Sequence, residues 1–238
     1  MKKLTAVANV GITAVALSLA LVGCGSNTKT ETQTSTSTTT TTSKPAATTS
    51  AQAAGPNKTM QDYIKENHIV ETPIHRGDPG SPTIDIPVPP GWSDAGPNTP
   101  DWAYSAMVYD QPKVPDDPPR ITAIVFKLTG NVDPEQILDY APGELRNLPG
   151  FAPSDPGNRP RRPSGAGAVP LGGFEASQLS GTYMKDGTKR FIGRNTAVIP
   201  RPDGLYVLQM NFDVLADENG PVLDALSNVI DPQTTITP

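Results

Sequence analysis

The spacing of apolar residues changes several times along the chain, and each change marks an element. Residues 4–22 are almost entirely apolar or small, carry no charge and follow Lys2 and Lys3. Residues 25–56 then read mostly Thr, Ser and Ala, with an unbroken Ser/Thr run at 36–43. Periodic patterning begins at Thr59. Met60, Tyr63, Ile64 and Ile69 follow mostly helical spacing, and Thr59 with Asp62 three residues on forms a capping-box arrangement, so a helix is predicted over 60–68. Pro73 ends any continuation.

Alternation takes over at 83–88, where Ile84, Ile86 and Val88 predict a strand with one buried face and Pro87 moves it towards a sheet edge. Pro89-Pro90-Gly91-Trp92 turns the chain, and 105–109 is a second strand. In 121–128, Ile121, Ala123 and Val125 lie on one face and Ile124, Phe126 and Leu128 on the other. A strand apolar on both faces belongs to a sheet covered on both sides. Asp133-Pro134-Glu135 opens a helix, with an acidic cap, proline at its first position and a carboxylate near its positive end. Its face of Ile137, Ala141, Leu145 and Leu148 is interrupted at Pro142-Gly143.

The proline-rich stretch 151–170 reads as a surface loop. A meander follows at 174–184, 190–199 and 205–213, joined by Asp186-Gly187 and Pro202-Asp203-Gly204. In its last strand Tyr206, Leu208, Met210 and Phe212 share a face, while Gln209 and Asn211 make the other polar. A closing helix carries Val222, Leu226, Val229 and Ile230. It starts either at an Asp217 cap or at Asn219-Gly220 with Pro221 in first position. This order predicts an α+β fold with a mainly antiparallel sheet sandwiched between helices.

Composition fixes where that fold can lie. All of the aromatic residues (Trp 2, Tyr 6, Phe 5) fall between Tyr63 and Phe212. A Thr/Ser tract with little apolar surface cannot offset the entropy of ordering, so 25–56 is expected to be a disordered tether, its ends averaging roughly 30 Å apart. The basic start and apolar run have the order of a secretory leader. A run of this length also meets the requirement for a membrane-spanning helix, and the residues that end it decide between the two. Leu21-Val22-Gly23-Cys24 has the order of a bacterial lipobox, with small residues before the cleaved bond and a thiol after it. Cys24 is the one cysteine in the chain, and a lone cysteine in an exported protein has to be explained. The expected organisation is a leader at 1–23, a lipidated Cys24 with its tether to 56, and a domain at 57–238.

Losing Lys2 and Lys3 with the leader moves the net charge from −5 to −7. Such a body offers neither the basic face of a nucleic-acid binder nor electrostatic attraction to anionic lipid. Membrane attachment is therefore expected through the acyl chains on Cys24, at about 0.8 kcal/mol per buried methylene.

The leader motif, the Thr/Ser tether and five further segments resemble the LpqN/LpqT family of mycobacterial lipoproteins. The segments are A-A-G-P-N at 53–57, D-Y-I-K-E-N-H-I at 62–69, G-D-P-G-S-P-T-I-D-I-P-V-P at 77–89, A-P-G-E-L-R-N-L-P-G-F at 141–151 and N-V-I-D-P-Q-T-T-I-T-P at 228–238. The last fits the LpqN branch. The arginine-bearing part of the 152–170 loop departs from the family pattern in length and charge. The resemblance implies a Mog1/PsbP-like fold and a place on the outer, periplasm-side face of the inner membrane or in the envelope, with shedding as a further fate. It also implies an accessory role in envelope lipid export, with MmpL-type exporters and trehalose glycolipids as partners, and brings no catalytic residues with it.

The residues themselves offer little chemistry. His68 and His75 lack metal-ligand spacing. No G-x-S-x-G elbow or phosphate-binding G-x-x-x-x-G-K-[ST] loop is present. Asp116-Asp117 and Asp213/Asp217/Glu218 read as solvated loops rather than calcium sites. No enzyme activity, cofactor or metal is expected. Candidate ligand contacts are Trp92, Trp102 and Tyr104 around a mouth at 93–100, against the alternative of core-edge packing. Candidate partner contacts are Arg159, Arg161 and Arg162, against a solvated loop. A lipid carrier or scaffold, a module contacting envelope or host proteins, and an envelope hydrolase all remain open at this point.

Overall fold

The structure, a computed structural model, describes residues 55–154 and 170–238. Cys24, the tether as far as residue 54, Arg159, Arg161, Arg162 and Ser164 lie outside the described residues.

In chain order the elements are α1 (Met60–Glu66), β1 (Val70–Ile74), β2 (Thr83–Asp85), β3 (Trp92–Asp94), β4 (Ser105–Tyr109), β5 (Arg120–Thr129), α2 (Pro134–Tyr140) and α3 (Gly143–Arg146). Then come β6 (Ala152–Pro153), β7 (Ala176–Lys185), β8 (Thr188–Arg201), β9 (Gly204–Leu215), α4 (Asn219–Ala225), a π-helical turn at Leu226–Ile230, α5 (Asp231–Gln233) and β10 (Thr235–Thr237). The main sheet runs β3-β4-β5-β9-β8-β7-β6, with β1 also paired to β5, and every pairing is antiparallel. The fold is α+β with a mostly antiparallel sheet.

Strand β5 organises the interior. Ile121, Ala123 and Val125 join one core cluster, with Tyr206, Leu208 and Met210 of β9 and Val222, Leu226 and Ile230 of the C-terminal helical turns. Phe126 and Leu128 join a second cluster with Val207, Met60 and Ile64 of α1, and Ile137 and Leu138 of α2. The sheet is thus covered on both faces, as the doubly apolar pattern of β5 requires.

Local signals act where they were read. Thr59 Oγ1 accepts the Asp62 backbone N–H at 3.1 Å, and Asp62 Oδ2 accepts that of Thr59 at 2.9 Å. The Thr59 hydroxyl, which donates to Asp62 Oδ2 at 2.7 Å, and then the Thr59 N–H hold the Asp62 carboxyl below its usual range. Thr59→Ala is expected to cost about 1 kcal/mol of unfolding free energy in urea melts; an unchanged midpoint would mean that tertiary packing alone holds α1. Asp133 accepts the Glu135 N–H at 2.9 Å with Pro134 following it. Gly143 lies against the Lys58 carbonyl, where a Cβ would collide, so the break between α2 and α3 lets the domain's first segment pass closely. Asp186 and Gly187 have φ of 51° and 79°, the left-handed pair a tight hairpin turn needs.

Four expectations change. The first helix stops at Glu66, because His68 takes φ 52°, a left-handed conformation that ends it. The 83–88 strand shortens to 83–85, which pairs with β10 in a separate two-stranded ribbon, not with the main sheet. Strands β1, β3, β6 and β10 were not predicted: β1 is nearly all exposed and lacks alternation, and the others are two or three residues long. The closing helix is divided by the π turn and begins at Asn219 without a side-chain cap.

Candidate functional site

The aromatic residues singled out in the sequence separate. Trp92 is 6% exposed and packs on Tyr109 with ring centroids 5.5 Å apart. Tyr104 is 5% exposed; its hydroxyl donates to the Ile84 carbonyl and accepts the Ile84 N–H, both at 3.3 Å. Trp102 remains 59% exposed, in the turn beside Asp101, whose carbonyl lies 3.1 Å from His75 Nε2. Two of the three rings are therefore committed to the core. Among the described residues no group of three His, Cys, Asp or Glu side chains is placed to hold a metal ion.

A shallow groove of about 430 Å³ does lie over the Trp92–Tyr109 pair. Pro89 and Pro90 form one wall, and Pro221, Asp224 and Val229 of the C-terminal helical segment form the other. The β3–β4 hairpin positions the aromatic floor, because Trp92 and Tyr109 are directly opposite in its register.

Of the acidic residues at 116–117 and 213–218, Asp116 and Asp217 stay exposed, while Asp117, Asp213 and Glu218 make specific contacts. Arg190 Nε meets Asp213 Oδ1 at 2.6 Å and its Nη1 meets Asp117 Oδ2 at 2.6 Å. Arg190 keeps the Asp117 carboxyl below its usual range. Tyr183 donates to Asp213 Oδ2 at 2.6 Å, and burial together with that bond pushes its phenol up to about 12. Glu218 accepts the Lys113 backbone N–H. These contacts tie the 110–119 loop to the meander strands.

A second, more enclosed site was missed in the sequence. Strand β8 turns Phe191, Ala197 and Ile199 into the core cluster beneath α4, and Asn195 falls in the same alternation. On the opposing segment, Leu223, Leu226, Ser227, Ile230 and Asp231 share helical spacing. Asn195 and Asp231 meet across a cavity of about 50 Å³ that Met210, Phe212 and Leu226 also line. Asn195 Nδ2 donates to Asp231 Oδ1 at 3.5 Å. Burial pushes the Asp231 carboxyl up to about 6 against the opposing effect of that bond. Asn195 on an otherwise apolar face of β8, and Asp231 on a helical face shared with Leu223, Leu226 and Ile230, were the available sequence signal.

Residues 56–237 match the family described as "Probable lipoprotein LpqN". The chain is 53% identical over 187 residues to the lipoprotein LpqN of Mycobacterium tuberculosis, covering 79% of this chain and 77% of that one. It is 28% identical over 142 residues to the lipoprotein LpqT of Mycobacterium leprae, covering 57% of each. A crystal structure of the M. tuberculosis LpqN, described as involved in cell envelope biogenesis, superimposes with a TM-score of 0.69 at 51% identity, covering 77% of this chain and all of that one.

Proposed function

Since this chain belongs to the LpqN lipoprotein family, we propose that it is a non-catalytic accessory of the cell envelope, anchored through acyl chains on Cys24 and acting in envelope lipid export. Its domain, residues 57–238, is then a Mog1/PsbP-like module carried on the 25–56 tether at the outer face of the inner membrane. The description of the M. tuberculosis relative as involved in cell envelope biogenesis supports the same setting.

One observation carries the scaffold version over the carrier version. Both faces of the central strands are filled by packed side chains, with Ile121, Leu128, Val207 and Leu208 wholly buried. The enclosed cavity at Asn195 is about 50 Å³, well below the roughly 300 Å³ at which ligand pockets usually begin. An acyl chain entering between sheet and helices would have to displace core residues. The open groove over Trp92 and Tyr109 is instead a surface suited to docking, and an MmpL-type exporter handling trehalose glycolipids is the partner proposed for it. The groove is also what a glycolipid head would use if the domain bound its cargo directly.

The test is complementation in a mycobacterial strain lacking its own lipoprotein of this family. The wild-type chain is expected to restore surface trehalose glycolipid and to crosslink to the exporter. Cys24→Ala, exported without an anchor, is expected to do neither. Full restoration by Cys24→Ala, or by the wild type without any exporter crosslink, would contradict the anchored-scaffold reading.

A further inference from the structure

The cavity between β8, β9 and the C-terminal helical turns holds one buried acceptor without a donor, Asn195 Oδ1, beside the Asp231 carboxylate; Gln178, Ser180 and Ser227 also line it. Asn195 is 6% exposed, and its Oδ1 is buried with no hydrogen-bond partner among the described residues. Asp231 receives one long bond, from Asn195 Nδ2 at 3.5 Å. The other charged residue lining the cavity is Arg194, but its guanidinium is bonded to Asn211 Oδ1 and to Glu144. Met210, Phe212 and Leu226 supply apolar walls, and Leu223, partly exposed, stands at the rim. A half-buried carboxylate without a counter-ion is costly, and a buried amide carbonyl without a donor more so. A hydroxyl ligand would answer the amide and leave the charge. An ammonium carries three N–H donors and a positive charge, and so answers both. The π turn at Leu226–Ile230, of a kind frequent at functional sites, borders the same cavity.

We infer that this cavity is a binding site for a primary ammonium group, gripped by Asp231 and Asn195 and enclosed by Met210, Phe212 and Leu226. The small volume admits a head of a few heavy atoms. This holds whether or not the domain acts as an export scaffold.

The test follows the Asn195 side-chain amide by NMR in the full mature chain, labelled with ¹⁵N-asparagine and titrated with methylammonium chloride. The expected result is a saturable shift with a millimolar dissociation constant, near the ceiling for so small a ligand. Asp231→Asn is expected to weaken binding at least about tenfold, the loss of a charged contact. Within the wild type, moving from about pH 7 to about pH 5 protonates the carboxyl and is expected to weaken binding about tenfold, so the test does not depend on the variant folding. Ethanol at equal concentration is expected to leave the amide unshifted. A short-chain phosphatidylethanolamine binding more tightly than ethylamine would assign the ammonium to a lipid head, and equal binding would assign it to a free amine. No saturable shift, an unchanged response in Asp231→Asn, or an equal response to ethanol would overturn the inference.

Discussion

Raising the pH from about 3 to about 8 is expected to remove about 3 kcal/mol of stability through Asp231 alone, and Asp231→Asn is expected to abolish that loss. The ordinary value of this carboxyl is 3.8, and burial raises it to about 6 in the folded chain. Between those two values the folded state holds a proton that the unfolded state has released. Stability therefore falls as pH rises through that window, is full below 3.8 and levels off above about 6. At about 1.4 kcal/mol per unit of difference, the whole effect is about 3 kcal/mol.

Asp62, Asp117 and Asp203 work in the opposite direction. Their carboxyls are held below 3.8 by Thr59, Arg190 and Lys127 respectively, so what they contribute is lost as pH falls. A wild-type curve alone would mix the two signs. The difference between wild type and Asp231→Asn isolates one carboxyl, measured by urea unfolding in buffers free of amines. The two curves are expected to lie closest at about pH 3, where the Asp231 carboxyl is protonated in both states, and to separate towards about pH 8 with the variant more stable. Parallel curves would show that Asp231 is solvated in the folded chain.

The same residue shows what can be read from a sequence and what cannot. Signals that act within a few residues were legible: the Thr59–Asp62 box, the Asp133 cap, the Asp186-Gly187 hairpin and the two-faced pattern of β5. Each is fixed by backbone geometry or by periodicity, so distant parts of the chain do not alter it. Pairings that depend on distant segments were not legible. Residues 83–85 find their partner at 235–237, and nothing in Thr-Ile-Asp distinguishes a ribbon from a sheet edge. Strand β1 is held by β5 while presenting exposed side chains, so its hydrophobicity carries no signal.

The candidate site divides in the same way. Polar residues on apolar faces at 195 and 231 are visible one at a time, but their meeting depends on how the C-terminal turns lie on β8. The aromatic residues at 92, 102 and 104 are close in sequence, yet the β3–β4 register and the Ile84 hydrogen bonds claim two of them for the core.

The largest effect expected of any single substitution concerns the anchor. One acyl chain gives only marginal, reversible membrane binding, and two or more make it stable. The acidic body adds no attraction to anionic lipid. Cys24→Ala should therefore move essentially all of the chain out of the membrane fraction while leaving the fold of 57–238 intact. The direct measurement is growth with labelled palmitate followed by detergent phase separation and intact-mass analysis. The expected result is a chain beginning at Cys24, carrying label and diacylglycerol mass and partitioning into detergent, with Cys24→Ala unlabelled and in the aqueous phase. An unlabelled wild-type chain, or a Cys24→Ala variant that stays in the detergent phase, would contradict it.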